Sequence, residues 1–306
     1  MVAFARQFDG DRAFALARAQ VEQPCATGAP GCVEPRYRVP GTEGNDATVA
    51  AIAGWMARLG WSLSWDNFTA DMRGQPVPAH SLIAERPGRN ATTLYVAAHY
   101  DTRPWTDEDP DPAKRDERVL GANDGASGVA VMVALAELLK DHSTNLTLRF
   151  AFWDAEDMGE SFTGWIQGSE HYAQRLSEPD VQRTFGYVLL DLVGDVNLTM
   201  RREGLSSVSP HRALQDDLWS WAAKLGHEQF VDAPGPTIID DHQPFQKRHI
   251  RAVDVLHLDF DANVFPDSHH TTFDDLAHLS PGSLDAVGET TLAAVLAWDA
   301  RVGPGS

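Results

Sequence analysis

Four short apolar runs punctuate the chain, each followed by polar, turn-forming residues. They span 93–98 (TLYVAA), 146–153 (LTLRFAFW), 187–192 (YVLLDL) and 252–258 (AVDVLHL), and their length and composition predict β-strands. Between them, helical patterns predict helices over 46–59, 125–140, 169–176, 210–225 and about 281–298. Residues 1–20 also read as an amphipathic helix, because charges interrupt their apolar positions throughout. Strands alternating with helices imply an α/β fold, a three-layer sandwich around a central mixed, mostly parallel sheet. Residues 1–306 are expected to form a single domain, with a helix and loop over about 1–36 packing on it. Two stretches, 103–120 and 158–168, carry too much Pro, Gly and charge for a packed core and read as long loops. Loops of this kind near strand ends shape active sites.

Composition narrows the partners. Apolar residues are 43% of the 306, and nine Trp and thirteen Phe supply a sizeable core. The formal net charge of -19 disfavours nucleic acid, whose binding needs a basic face, and anionic membrane surfaces. Surplus acid reads mainly as a solvated exterior, and in part as carboxylates gathered around a metal. No run of 18 apolar residues occurs, and the opening residues do not read as a leader. A leader removed upstream fits equally, which leaves the compartment open. The only two cysteines, Cys25 and Cys32, fit a local disulfide or two free thiols, and they exclude a structural thiolate zinc site. Asn-x-Ser/Thr triplets at Asn67, Asn90, Asn145 and Asn197 are weak signals.

The chemistry gathers at the ends of the strands. The first predicted strand runs into His99-Tyr100-Asp101, and the next junction reads Gly121-Ala122-Asn123-Asp124-Gly125 before a helix. The second ends in Asp154-Ala155-Glu156-Asp157, the third carries Asp191, and after the fourth comes Phe265-Pro266-Asp267-Ser268-His269-His270-Thr271. Ligands of open α/β sheets bind outside the carboxyl ends of the strands, so five segments bring His and carboxylate groups to one rim. Imidazole nitrogen and carboxylate oxygen suit zinc. Each residue alone is weak: Asp124 could be a helix N-cap, and Asp154 reads as structural.

The order H-x-D, G-A-N-D-G-A-S-G, D-x-E-D, L-D-x-x-G and H-T resembles that of the zinc aminopeptidases, and its details resemble their relatives, the glutaminyl cyclases. The resemblance runs from about Arg38 to the last helix. It includes Asn67-Phe68-Thr69-Ala70, Gly164-Trp165, Gly168-Ser169-Glu170-His171, and Asp240-Asp241-His242-Gln243-Pro244-Phe245, which resembles the D-D-H-x-P-F motif of the cyclases. It implies a zinc aminopeptidase/glutaminyl cyclase-like fold with one zinc ion held by Asp124, Asp157 and His270. It implies Glu156 as general acid/base, Asp191 and Asp240 as a hydrogen-bonded carboxylate network behind it, and Trp165 and Phe265 as pocket walls. The implied substrate is the free N-terminus of a peptide or protein, whose glutamine would be converted to pyroglutamate. Gly125-Ala126-Ser127-Gly128 reads as close helix–sheet packing rather than a nucleotide fingerprint, and no G-x-S-x-G serine-hydrolase motif occurs.

Two departures matter. Cyclases commonly carry two consecutive Glu where this chain has Glu156-Asp157, and a Trp where it has His269, a second possible ligand. His99, Asp124 and Asp191 also match the second zinc site of the aminopeptidases, in which Glu156 would activate water instead. Hydrolysis of N-terminal residues by one or two zinc ions is therefore the alternative, and an inactive peptide-binding homologue is the third reading.

Overall fold

The computed structural model describes residues 2–25, 32–161, 163–258 and 268–303. Its centre is a six-stranded sheet built from β1 (Ser62–Met72), β2 (Gln75–Arg86), β3 (Thr93–His99), β4 (Thr147–Trp153), β5 (Thr184–Asp191) and β6 (Ala252–Leu256), in the spatial order β6-β5-β3-β4-β2-β1. The pairs β6–β5, β5–β3 and β3–β4 are parallel, while β2 joins β4, and β1 joins β2, antiparallel. This is the mixed, mostly parallel sheet expected.

Period-2 alternation divides each central strand between two cores. Leu94, Val96, Ala98, Leu148, Phe150, Phe152, Val188 and Leu190 enter the larger one. It is roofed by α1 (Gly10–Val21), α2 (Glu43–Arg58), α3 (Ala126–Leu139), α5 (Arg212–Leu225) and α7 (Pro281–Val302), while α4 (Gln167–Arg175) lies on the other face. Tyr95, Ala97, Ala151, Trp153, Tyr187 and Leu189 enter the smaller one, under α4 and α6 (Gln243–Lys247). Both faces are thus covered, which is why these strands read as near-continuous apolar runs.

The hairpin β1–β2 lies outside the four expected strands. Of β1, only Asp66 and Ala70 are buried, so no apolar run marks it, and Pro76 and Pro78 argue against a strand in β2. Its tip, Arg73-Gly74, takes positive φ at both residues, the geometry of a tight hairpin turn. The predicted N-terminal helix is also interrupted. It forms Val2–Ala5 and α1, because Asp9 turns extended and its side chain accepts a hydrogen bond from the Arg12 amide, starting a new helix. Cys25 and Cys32 are joined, which resolves the choice left open by their spacing.

The four parallel strands point their carboxyl ends to one rim. Gly128 lets α3 lie directly on the sheet there: a Cβ at this position would stand 2.1 Å from the Leu190 carbonyl oxygen. The expected close helix–sheet packing is met.

Candidate metal centre

At this rim the chain places three overlapping groups of potential metal ligands, one of them Glu108–His269–His270, which includes the second possible ligand His269. His99, at the end of β3, directs Nε2 to Asp124 Oδ1 at 2.9 Å and to Asp191 Oδ1, at the end of β5, at 3.2 Å. On the other side of Asp124, His270 Nε2 stands 3.1 Å from Asp157 Oδ1 and 3.7 Å from Asp124 Oδ2. The triplets His99–Asp124–Asp191 and Asp124–Asp157–His270 each offer ligand atoms within 4.8 Å of one another, and Asp124 belongs to both. His270, not its neighbour, faces the carboxylates. His269 stacks on the His270 ring at 3.6 Å and engages Glu108 Oε2 through Nδ1 at 2.9 Å.

Backbone geometry explains these positions. Asp124 is not the cap of α3. Gly125 occupies that position with φ 63°, where a Cβ would press to 2.6 Å from the His99 carbonyl oxygen, and the Asp124 side chain is left facing His99. The amides of Asn123 and Asp124 donate to the two carboxylate oxygens of Asp274 at 2.7 and 3.1 Å, fixing the turn. Asp101 receives the amides of Glu156 and Asp157, both at 3.2 Å. Asp154 serves structure, accepting from Asn45 and from the His80 and Ala155 amides. Ala155, Leu192 and His270 all take left-handed φ of 51–57° without being glycine. Such conformations carry strain, and they cluster where a side chain must be aimed.

The electrostatics favour a cation. Burial, with the charge of Asp124, pushes the Asp157 carboxyl well above its ordinary range, against the pull of Arg103. Burial would raise Asp124 too, but its hydrogen bond and charge contact with His99 hold it low. Burial and the carboxylates Asp157, Asp240 and Asp241 push Glu156 up, opposed by His99. Burial, with the neighbouring His269 and Arg103, keeps the His270 ring neutral, the ligating form. Asp157 Oδ2 is buried with no hydrogen-bond partner. One imidazole and two carboxylates, one of them with this orphaned oxygen, fit zinc.

Above the centre opens a cavity of about 320 Å³. Glu156, Asp191 and Asp240 form its polar floor, and Trp165, Leu192, Ile238, Ile239, Leu256 and Leu258 its apolar wall. Trp165 lies parallel to the His270 ring, 9° between planes and 6.0 Å between centroids. Every candidate named from the sequence therefore meets here except Phe265, which lies outside the described residues.

Sequence reading missed Arg103. Its guanidinium, nearly fully buried, donates to both oxygens of Asp107 at 2.6 Å, to Asp157 Oδ1 at 3.4 Å, and to the carbonyls of Asp157 and Gly159. It also lies 4.8 Å from the Trp165 ring. One side chain thus ties the 103–120 loop to the 158–168 loop; only the Arg-Pro junction after H-x-D hinted at it. Replacing Arg103 with Met leaves the buried Asp157 without its positive partner. The expected cost is about 3–5 kcal/mol of stability, read as a lowered urea midpoint.

The sequence profile of peptidase family M28 matches residues 81–295. Among solved structures, a zinc-dependent exopeptidase from Parabacteroides distasonis superposes with a TM-score of 0.84 at 28% identity, covering 94% of this chain and 98% of that one. A glutaminyl cyclase from Bacteroides thetaiotaomicron bound to N-acetylhistamine gives 0.83 at 30% identity, with the same coverage. An aminopeptidase of Bacillus subtilis is 28% identical over 206 residues, 66% of this chain. This chain spans 40% of the length of that relative and 54% of the leupeptin-inactivating enzyme 1 of Streptomyces exfoliatus.

Proposed function

Because the chain belongs to peptidase family M28 and is a glutaminyl cyclase-like member of its superfamily, we propose that it is a zinc-dependent glutaminyl-peptide cyclotransferase. It would convert the N-terminal glutamine of peptides to pyroglutamate, releasing ammonia. The observation that carries this reading over hydrolysis is the Asp240–Phe245 stretch, which resembles the D-D-H-x-P-F motif of the cyclases. The end-to-end likeness supports both activities, since the zinc-dependent exopeptidase and the Bacteroides cyclase each match 94% of this chain.

Asp124, Asp157 and His270 would hold the ion. When bound, zinc would supply a Lewis acid for the γ-carboxamide carbonyl. Glu156, on the cavity floor, would take a proton from the α-amine as that nitrogen bonds to the carbonyl carbon of the side-chain carboxamide, and hand it to the departing ammonia as that carbon's bond to the amide nitrogen breaks. Asp191 and Asp240 line the same cavity beside it, and would form the carboxylate network behind the base; burial, with the charge of Asp191, pushes the Asp240 carboxyl well above its ordinary range. Trp165, stacked over His270, would wall the pocket and exclude water, with Phe265 as the second aromatic. Residues 1–306 would act as one catalytic domain, with the segment over about 1–36 packed on it. The substrate is a peptide or protein N-terminus. Among the described residues no helix is long and apolar enough to cross a membrane.

A second reading rests on a specific observation. His99–Asp124–Asp191 forms a complete ligand-type group beside the first, so two ions and peptide hydrolysis suit the same rim. An inactive binding homologue suits it less, because Glu156 lines the cavity beside a complete ligand-type group, the placement a proton carrier needs.

The zinc-loaded protein incubated with Gln-Phe-Ala and Leu-Phe-Ala separates these. Loss of one ammonia from the first peptide, faster than spontaneous cyclisation and abolished by chelator, is the expected result. Release of free Leu or Gln would establish the hydrolase, and no change in either would overturn both.

A further inference from the structure

Behind Asp240, away from the cavity, the chain buries further ligand-type side chains, His242 and Asp254, that the proposed reaction leaves unused. His242 is fully enclosed, and neither ring nitrogen has a hydrogen-bond partner. Its Nδ1 faces Asp254 Oδ2 at 3.7 Å, and its Nε2 faces Glu203 Oε2 at 3.5 Å. No donor reaches either oxygen of Asp254, nor Asp240 Oδ2. One atom each from Asp240, His242 and Asp254 lie within 4.8 Å of one another.

Asp254 is the most telling of these. It stands in the middle of β6 between Val253 and Val255 and is completely buried. An acid there, without a donor, is costly unless a cation or a proton neutralises it. Glu203 is different. Its oxygens receive the amides of Leu205, Ser206 and Ile238 at 2.8, 2.6 and 3.3 Å, so it is anchored by backbone donors. Placed behind Nε2, it can accept the ring N–H and leave the Nδ1 lone pair facing Asp254. This carboxylate–imidazole pairing is how proteins orient a histidine towards a metal.

We propose that Asp240, His242 through Nδ1, and Asp254 form a second, buried site for a divalent cation of zinc's type, with Glu203 as the outer carboxylate that orients the ring. The donor set, two carboxylates and one imidazole, repeats that of Asp124, Asp157 and His270. The imidazole excludes a hard, oxygen-only ion such as calcium. A water molecule could fill the space but would leave the mutual repulsion of two close carboxylates in place. Because Asp240 reaches both places, the buried ion would fix the carboxylate on the cavity floor. The site does not depend on whether the reaction is cyclisation or hydrolysis.

The direct test is an anomalous difference map at the zinc edge from crystals of the holoenzyme, dialysed without added metal. A peak among Asp240, His242 and Asp254, besides that at Asp124, Asp157 and His270, is expected. A map with only the latter overturns the proposal and leaves a proton shared between Asp240 and Asp254 in its place. Metal analysis gives an independent measure. His242→Gln and Asp254→Asn should each lose one equivalent per chain while the His270→Ala protein keeps it. A folded His242→Gln protein with undiminished metal content would equally overturn the site, and where either variant fails to fold the map decides alone.

Discussion

Glu156→Gln is expected to retain zinc and the fold while losing about 10²–10⁴-fold in kcat, the usual worth of a positioned general acid/base. The substitution is nearly isosteric, and Glu156 belongs to none of the three ligand triplets at the rim, so binding of the ion should survive. Its backbone amide stays anchored on Asp101, which holds the turn irrespective of the side chain. What disappears is the proton acceptor on the cavity floor. Metal analysis and single-turnover assays with an N-terminal glutamine peptide check the two halves. Near-normal turnover would remove Glu156 from the mechanism. Lost zinc would instead make it a ligand. The KM should change little, since a neutral amide of the same shape still fills the floor; a large rise would assign Glu156 to recognition of the amine rather than to proton transfer.

How much of this was legible in the sequence depends on where each residue finds its partner. The central strands are enclosed on both faces, so TLYVAA and LTLRFAFW announce themselves without tertiary information. The hairpin of Ser62–Met72 and Gln75–Arg86 covers the sheet edge with few buried positions, and local pattern is silent there. The rim residues were readable because each follows a strand and offers a ligand atom: His99, Asp124, Glu156-Asp157, Asp191 and His270. Their supports were not. Asp274 receives amides from residues 150 positions away, and Arg103 reaches Asp157 across 54. Nothing in the sequence marks Asp274, and Arg103 is marked only by the Arg-Pro junction after H-x-D, which does not name its partner. Asp254 was read only as one letter of an apolar strand, though an acid between two buried valines already conflicts with the strand's burial on both faces. The left-handed turns at Ala155, Leu192 and His270 were equally hidden, because no glycine marks them.

His270→Ala tests the ion more sharply than any change at the floor. The ring supplies the only imidazole of the Asp124–Asp157–His270 triplet, and its removal leaves two carboxylates, one of them with an oxygen already unpartnered. The loss of affinity should exceed the roughly 10–100-fold typical of an outer partner, and activity should fall to background at ordinary zinc concentrations. Stability carries the same information. Where zinc stands about 1,000-fold above its Kd, binding contributes about 4 kcal/mol to the native state, so chelation should depress the wild-type melting temperature by an amount the variant no longer shows. His269→Ala is the control. That ring meets Glu108 and stacks on His270 without reaching Asp124 or Asp157 in the Asp124–Asp157–His270 triplet, so its variant should keep the ion and lose mainly the stiffness of the pocket mouth. The reverse outcome, metal lost from His269→Ala and kept in His270→Ala, would move the ligand one residue back and require the left-handed turn at His270 to rebuild when zinc binds.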